Sequence, residues 1–285
     1  MKQIPFISSH REKEIPPLYY VDSCNSTQDL VLDLVNQQVN SHHTLACFSF
    51  NQLNGRGQGS NAWNDFPNQT IAYSIAVPLP DSIDLVLLNK LLTLNLLHAL
   101  QSYSTQNIQI KWPNDLICLN KKLSGLLIQV VTNNYGIRFV VLGIGINVNQ
   151  QKIQEILPHG ISLRDINHHT IDLNLLTNHI HLALTSDIHN LKNQLVNSST
   201  EITEEFNLKI WGNNNYMLID VLDESARMEV SNLVLGDDNS VLIQDGLLRV
   251  KVKIKGVDTF GRLQFELNGN KFAYHHGQVK ISYHQ

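Results

Sequence analysis

A chain of 285 residues that is 42% hydrophobic and 16% charged can bury a sizeable core, which excludes a disordered tail and fits one large domain or one large plus one small. Its net charge of −4 provides no global field to draw in nucleic acid, so function has to be read from sites. Cys24, Cys47 and Cys118 lie far apart without C-x-x-C spacing, which suits buried thiols in a reducing, cytoplasmic setting. Met1 to Tyr20 has no apolar signal core, and no later apolar run is long enough to span a bilayer, so a soluble, unprocessed protein is expected.

Residues 1–17 read as an N-terminal arm broken by Pro5 and by Pro16-Pro17, and Leu18 to Val21 as a short strand. Ser26 and Asp29 have capping-box spacing ahead of Leu30, Val31, Leu34 and Val35 at helical intervals. Two readings stand there: the hydroxyls of Ser26 and Thr27 only start a helix, or the strand-to-helix turn offers hydroxyl and N–H groups to a ligand. Leu45 to Phe50 is a strand that leads into Asn51 to Trp63, where Gly55, Gly57 and Gly59 alternate and Arg56 is the one charge. That composition predicts a mobile loop whose N–H groups can approach a ligand closely. A dinucleotide fingerprint is poorly supported and is set aside, because the glycine spacing is wrong and no amphipathic helix opens after Gly59. Thr70 to Val77 alternates as a strand, and a helix is expected from Asp84 to Tyr103, with Leu88, Leu92 and Leu96 stacked at four-residue intervals.

In Asn107 to Asp115, Ile108, Ile110 and Trp112 alternate with Gln109 and Lys111, which turns Lys111 away from the apolar layer at a strand end stopped by Pro113. An edge-strand lysine in water and a fixed functional cation are both compatible with this pentapeptide. Leu116 to Leu119, Leu123 to Val131 and Ile137 to Leu142 continue as an antiparallel meander with polar turns. It runs into Gly143-Ile144-Gly145-Ile146-Asn147, where alternating glycines invite either a tight strand crossing or a flat ligand against the backbone.

A long helix is expected from Asp172 to Leu191. Its His179, His181 and His189 lack the spacing of a zinc helix, and the pairs His42-His43, His168-His169 and His275-His276 read as solvated, so no metal site is expected from the protein alone. Trp211 to Asn215 is a polar break. Short strands follow it, predicting a small all-β domain with Arg249, Lys251, Lys253 and Lys255 on one face of one strand, either a solvated row or a docking surface for an acidic protein.

Taken together, Ser26-Thr27-Gln28, Gln52 to Gly57 with Trp63, Lys111-Trp112-Pro113-Asn114-Asp115, Lys122-Leu123-Ser124-Gly125 and Gly143 to Asn147 resemble the biotin protein ligases, in that family's order and spacing. The resemblance implies an α+β fold with a mixed, largely antiparallel central sheet flanked by helices and a small C-terminal SH3-like β domain. The divisions expected are the arm at 1–17, a catalytic domain at 18–212 and the β domain at 213–285. It implies that biotin and ATP, with Mg, give biotinyl-5'-AMP, from which the biotinyl group passes to a lysine of a biotin carboxyl carrier domain of a carboxylase. By resemblance Lys111 and Arg56 are catalytic. Ser26, Thr27, Gln28 and Gln52 bind biotin, with Arg56, Gly57, Gln58 and Lys111 at its carboxyl end and Gly143 and Gly145 under its bicyclic head. Trp63, Asn114 and Asn147 contact the nucleotide, and Asp115 orients the acceptor lysine or the metal.

The chain departs from many members at Gln58, where a second arginine is common, and at Gln129, where a glutamate is common. Some members carry an N-terminal DNA-reading domain; the 25 residues before Ser26 cannot house one, so no DNA partner and no membrane partner are expected. The assemblies the sequence allows include a homodimer. Rival readings are a lipoate- or octanoate-type ligase of the same architecture and a non-catalytic biotin-binding regulator.

Overall fold

The computed structural model describes residues 2–3, 15–37, 43–59, 61–79, 83–186, 195, 197–234, 242–244 and 247–283. Most of the expected N-terminal arm, His42, His189 and the last part of the helix expected to reach Leu191 lie outside them. The first part of the chain forms β1 (Lys2–Gln3), β2 (Leu18–Tyr20), β3 (Leu45–Ser49), β4 (Gly55–Arg56), β5 (Ala62–Trp63), β6 (Thr70–Pro78), β7 (Ile108–Lys111), β8 (Asp115–Cys118), β9 (Lys121–Thr132) and β10 (Arg138–Asn147). Eight of these make one sheet in the order β1-β2-β3-β6-β10-β9-β8-β7. Only β2 and β3 pair in parallel; the other neighbours are antiparallel, as a meander with short turns requires. Asp115, two residues past Pro113, is the first residue of β8 and pairs with Lys111. Leu119 and Asn120, both at positive φ, make the next turn.

Helices are α1 (Thr27–Gln37), α2 (Leu85–Gln101), α3 (Leu163–Asn167), α4 (Leu173–Thr185), α5 (Ser199–Lys209) and α6 (Glu224–Val234). Asp84 and Asp172 cap α2 and α4, each carboxylate accepting from two backbone N–H groups of the first turn. Where α1 lies over the sheet, β6 and β10 are covered on both faces, which is why Phe139 to Leu142 is a continuous apolar run. On one face Phe48, Tyr73, Ile75, Val140, Leu142 and Ile144 pack with the leucines of α2 and α4 in the main core. On the other, Val31 and Val35 of α1 lie on Cys47, Ala76, Phe139 and Val141. Among the described residues no helix is long and apolar enough to cross a membrane.

The C-terminal part forms an antiparallel sheet from β11 (Tyr216–Val221), β12 (Leu242–Gln244), β13 (Leu247–Val257), β14 (Leu263–Leu267), β15 (Asn270–Tyr274) and β16 (Val279–Ile281), ordered β15-β14-β13-β11-β16 with β12 beside β13. This region is not all β. The Asp223 carboxylate accepts from the Ala226 N–H at 3.0 Å and starts α6, whose Ala226 and Val230 are buried one turn apart. The basic row on β13 carries cross-strand partners on its outer face: Arg249 pairs with Asp220 at 2.6 Å and Lys255 with Glu266 at 3.3 Å.

The second sheet is fastened to the open edge of the first. Trp211 N–H donates to the Ile110 carbonyl at 2.8 Å, the Trp112 indole donates to the Gly261 carbonyl at 3.1 Å, and Lys90 Nζ donates to the Asp258 carbonyl at 3.0 Å. Covering the last strand in this way satisfies groups that an edge would leave open. It also brings the end of the chain beside Lys111.

Candidate active site

Residues paired directly across neighbouring strands point to the same face of a sheet. One such row crosses five strands: Ala72, Gly145, Gly125, Asp115 and Lys111 are successive partners on β6, β10, β9, β8 and β7. The adjoining row is Cys47, Ser74, Gly143 and Leu127. The α1 face of the sheet is therefore floored by residues with little or no side chain and ends in a carboxylate and an ammonium. Over that floor lies a cleft of about 680 Å³. Its walls are the start of α1, the β4–β5 hairpin, the β7–β8 turn and the end of the second sheet.

Thr27 and Gln52 are locked together on one wall. The Thr27 N–H donates to Gln52 Oε1 at 2.8 Å, its hydroxyl reaches the same atom at 3.2 Å, and it shares a hydrogen bond with Ser74 at 2.9 Å. The Gln52 N–H in turn donates to Asp65 at 2.5 Å, whose other oxygen receives the Thr70 hydroxyl; burial pushes this carboxyl above its usual range. Gln28 lies over Gly143, where a Cβ would collide with its side-chain oxygen, and its Nε2 donates to Gln129 at 2.9 Å. Ser26 starts α1 weakly, its hydroxyl 3.4 Å from the Asp29 N–H. The Asp29 carboxylate pairs with Arg56 at 3.0 Å.

The loop between Gln52 and Trp63 is a short hairpin here. Gly55 pairs with Trp63 so closely that a Cβ would sit 2.7 Å from the Trp63 carbonyl. This hairpin places the Trp63 indole flat on Gly145, in space that any side chain there would fill. At the loop tip the Gln58 amide hydrogen-bonds His276 at 3.2 Å, and the His276 ring meets Trp112 edge-on at 5.4 Å.

Lys111 is only 5% exposed, which removes the reading of a lysine in open water. Burial lowers its pKa to about 8; Asp115 opposes that shift, and Lys280 and Lys122 add to it. Its Nζ stands 4.3 Å from the centroid of the Tyr283 ring. Lys122 pairs with Asp115 at 2.8 Å and lies 5.8 Å from the Trp63 ring. The Asp115 carboxylate thus spans the space between two cations.

Of the residues picked out by the sequence, Ser26, Thr27, Gln28, Gln52, Arg56 and Gly57 line this cleft, as do Gln58, Trp63, Lys111, Asn114, Asp115, Gly143 and Gly145. Asn147 does not. It lines a smaller cleft of about 240 Å³ with Trp63, Lys122, His159 and Tyr283, and its Nδ2 donates to the Lys122 carbonyl at 3.3 Å. Lys122, Lys280, His276 and Tyr283 line the main cleft without having been given a role from the sequence. Lys122 was visible inside Lys-Leu-Ser-Gly; the others reach the site only through docking of the second sheet. His181, one of the histidines in the helix expected from Asp172, is a buried structural group between the Tyr73 hydroxyl and the Pro16 carbonyl, both at 2.8 Å.

The cleft joins a glycine floor with three lysines, Lys111, Lys122 and Lys280, one arginine and several side-chain amides, a set of groups suited to holding anions over a flat surface. Residues 20–149 match the model of the biotin/lipoate A/B protein ligase family. The bifunctional ligase/repressor BirA of Bacillus spizizenii is 33% identical over 138 residues, 47% of this chain and 41% of that protein. The biotin--[acetyl-CoA-carboxylase] ligase of Mycobacterium tuberculosis is 32% identical over 120 residues, 40% of this chain and 43% of that protein. The chain thus spans less than half the length of these relatives. In fold it is similar to the biotin protein ligase of Aquifex aeolicus in complex with biotin and ATP, with a TM-score of 0.70, 20% identity, and 93% of this chain and 98% of that chain covered.

Proposed function

We propose that the chain is an ATP-dependent biotin protein ligase. The observation that carries this is the row from Ala72 to Lys111: a floor of Ala72, Gly145 and Gly125 that contributes almost no side chain of its own, ending where Lys122 pairs with Asp115 beside Lys111. The relatives named as biotin ligases support the choice of acid.

Two anions must meet for such a reaction, and fixed cations lower the repulsion between them. In the first step a biotin carboxylate oxygen attacks the α-phosphorus of ATP; the new P–O bond replaces the bond to the β-phosphate oxygen, and diphosphate leaves with the electron pair. Thr27, Ser74 and Gln52 present hydroxyl and amide groups on the wall where a ring with polar edges would lie. Lys111 and Lys122 neutralise charge where carboxylate and phosphate converge, and Trp63, Asn114 and Asn147 define the nucleotide side. In the second step the amine of the acceptor lysine attacks the acyl carbon; the C–N bond forms, the C–O bond to phosphate breaks, AMP leaves, and the lysine gives up a proton. Asp115 is the carboxylate placed to attract that amine. Among the described residues no three His, Cys, Asp or Glu side chains converge as a metal site. A magnesium ion bound with ATP would be held mainly by phosphate oxygens, with the Asp115 carboxylate as the oxygen ligand the main cleft offers, and would supply further charge neutralisation.

The acceptor is a biotin carboxyl carrier domain, and the three free cysteines fit a cytoplasmic setting. The test is diphosphate release with ATP plus biotin, lipoate, octanoate or no acid, followed by mass analysis of a carrier domain. Release with biotin and a mass gain of one biotinyl group are expected. Release that is faster with lipoate or octanoate, or absent with every acid, would overturn the reading.

A further inference from the structure

Tyr283 follows β16 in the second sheet, yet its side chain lines both the main cleft and the smaller one. The segment is fixed by the backbone, the Ser282 N–H donating to the Leu218 carbonyl at 2.9 Å. The ring is held on several sides: Lys111 Nζ lies 4.3 Å from its centroid, His159 stacks on it at 4.9 Å with the planes 8° apart, and Trp211 leans on it at 5.9 Å. Its hydroxyl is buried and has no hydrogen-bond partner among the described residues. A ring needed only to fill this seam would be better supplied by phenylalanine, because a buried unpaired hydroxyl costs free energy that a C–H does not. Something that accepts a hydrogen bond is expected to arrive.

We propose that Tyr283 contacts substrate in the adenylation step, its hydroxyl donating to an α-phosphate oxygen where the two clefts meet while its ring holds Lys111 beside it. This rests on the ligase reading above and extends it to the end of the chain. The chemistry is consistent at each atom. Burial and the nearby Asp115 keep the phenol well above its usual pKa, so it is a neutral donor at physiological pH. A phosphate oxygen accepts from a hydroxyl and attracts an ammonium at the same time, and the ring face stabilises that ammonium in its charged form. The second sheet is then part of the site, which gives a reason for the hydrogen bonds that fasten it to β7.

Two variants separate the hydroxyl from the ring. Tyr283→Phe removes only the donor, and is expected to raise KM for ATP or lower kcat for diphosphate release by roughly ten- to a hundredfold, the range for a hydrogen bond to a charged group. Biotin affinity and the pH profile should stay as in the wild type, and thermal stability without ligand should be equal or higher, since a buried unpaired hydroxyl is removed. Tyr283→Leu also removes the ring, and its alkaline limb in kcat/KM should move to lower pH, as the Lys111 ammonium loses its aromatic partner. The ³¹P shift of the α-phosphate of bound ATP should differ between wild type and Tyr283→Phe, which a purely structural role would not produce. Wild-type kcat and KM for ATP in Tyr283→Phe overturn the inference. If the wild-type protein releases no diphosphate with any acid, the ligase reading fails instead, and equal ATP affinity in wild type and Tyr283→Phe then also sinks the inference.

Discussion

The two faces of the large sheet are made from the same strands and do different work. Along β10, Val140, Leu142, Ile144 and Ile146 point to α2 and α4 and are buried in the main core. The alternate residues Phe139 and Val141 meet α1, and then Gly143 and Gly145 leave the floor bare. One face is filled by the protein itself. The other is filled up to α1 and then left for side chains that reach in from elsewhere, Gln28 over Gly143 and Trp63 over Gly145. The difference teaches that stability and binding are divided by strand parity, so adjacent residues in the chain should respond to substitution in opposite ways.

The largest effect should come from the packed face. Phe48 is 1% exposed, with ring neighbours Tyr20 at 5.3 Å and Phe50 at 5.2 Å. Phe48→Ala is expected to lower the unfolding free energy by about 3–5 kcal/mol through lost transfer energy and the cavity left behind. Activity per folded molecule should change little. A denaturant midpoint equal to wild type would refute the assignment of this face to stability.

On the other face the sign reverses. Lys111→Ala is expected to cut adenylate formation by about 10²–10³, the size of effect seen when one preorganised charge-stabilising donor is removed. The folded state should be no less stable, because a desolvated ammonium is lost with it. Biotin binding alone should suffer less than catalysis. Adenylate formed at the wild-type rate would remove this strand end from its central place.

Gly143→Ala tests the floor itself. A Cβ there would displace the Gln28 amide and break its hydrogen bond to Gln129. Overpacking of this kind costs about 1–3 kcal/mol, and it is expected to appear as weaker biotin affinity by calorimetry, with ATP affinity retained. Unchanged biotin binding would mean that the bare floor serves strand packing alone.

How much of this could be read from residues alone follows from how local each signal is. The meander from Ile108 to Asn147 was legible because period-two alternation and polar turns fix strands and register without help from distant chain. The side of the strand on which Lys111 stands followed from the same parity. Its burial did not, because the Tyr283 ring lying 4.3 Å from its Nζ comes from the end of the second sheet. The helix α6 was missed inside a run of strand signals, although Asp223 three residues before the buried Ala226 is a capping pattern. The pairing of Asp29 with Arg56 was also out of reach: three-residue spacing suggested a capping box, and the carboxylate found a cation from another element.

The smallest expected effect is a pH dependence, and it sharpens the division between the faces because activity and stability move oppositely. Burial holds Lys111 at a pKa of about 8, below the ordinary lysine value. Between pH 8 and about 10.4 the unfolded chain binds more protons at this residue than the folded chain does, so its contribution to stability rises with pH across that window. The same loss of a proton removes the cation that the proposed reaction places where carboxylate and phosphate meet. The rate constant kcat/KM, which reports the free enzyme, should therefore fall above pH 8, to about a tenth of its plateau one unit higher. Bound anions favour the ammonium, so the limb in kcat should lie at higher pH than the limb in kcat/KM. Thermal melts from pH 7 to 10 on wild type and Lys111→Met, beside steady-state kinetics, would read both signs. Wild type should gain stability relative to the variant while losing kcat/KM. A limb that coincides in kcat and kcat/KM, or a stability difference that does not change with pH, would assign the titration to another group and leave Lys111 charged throughout.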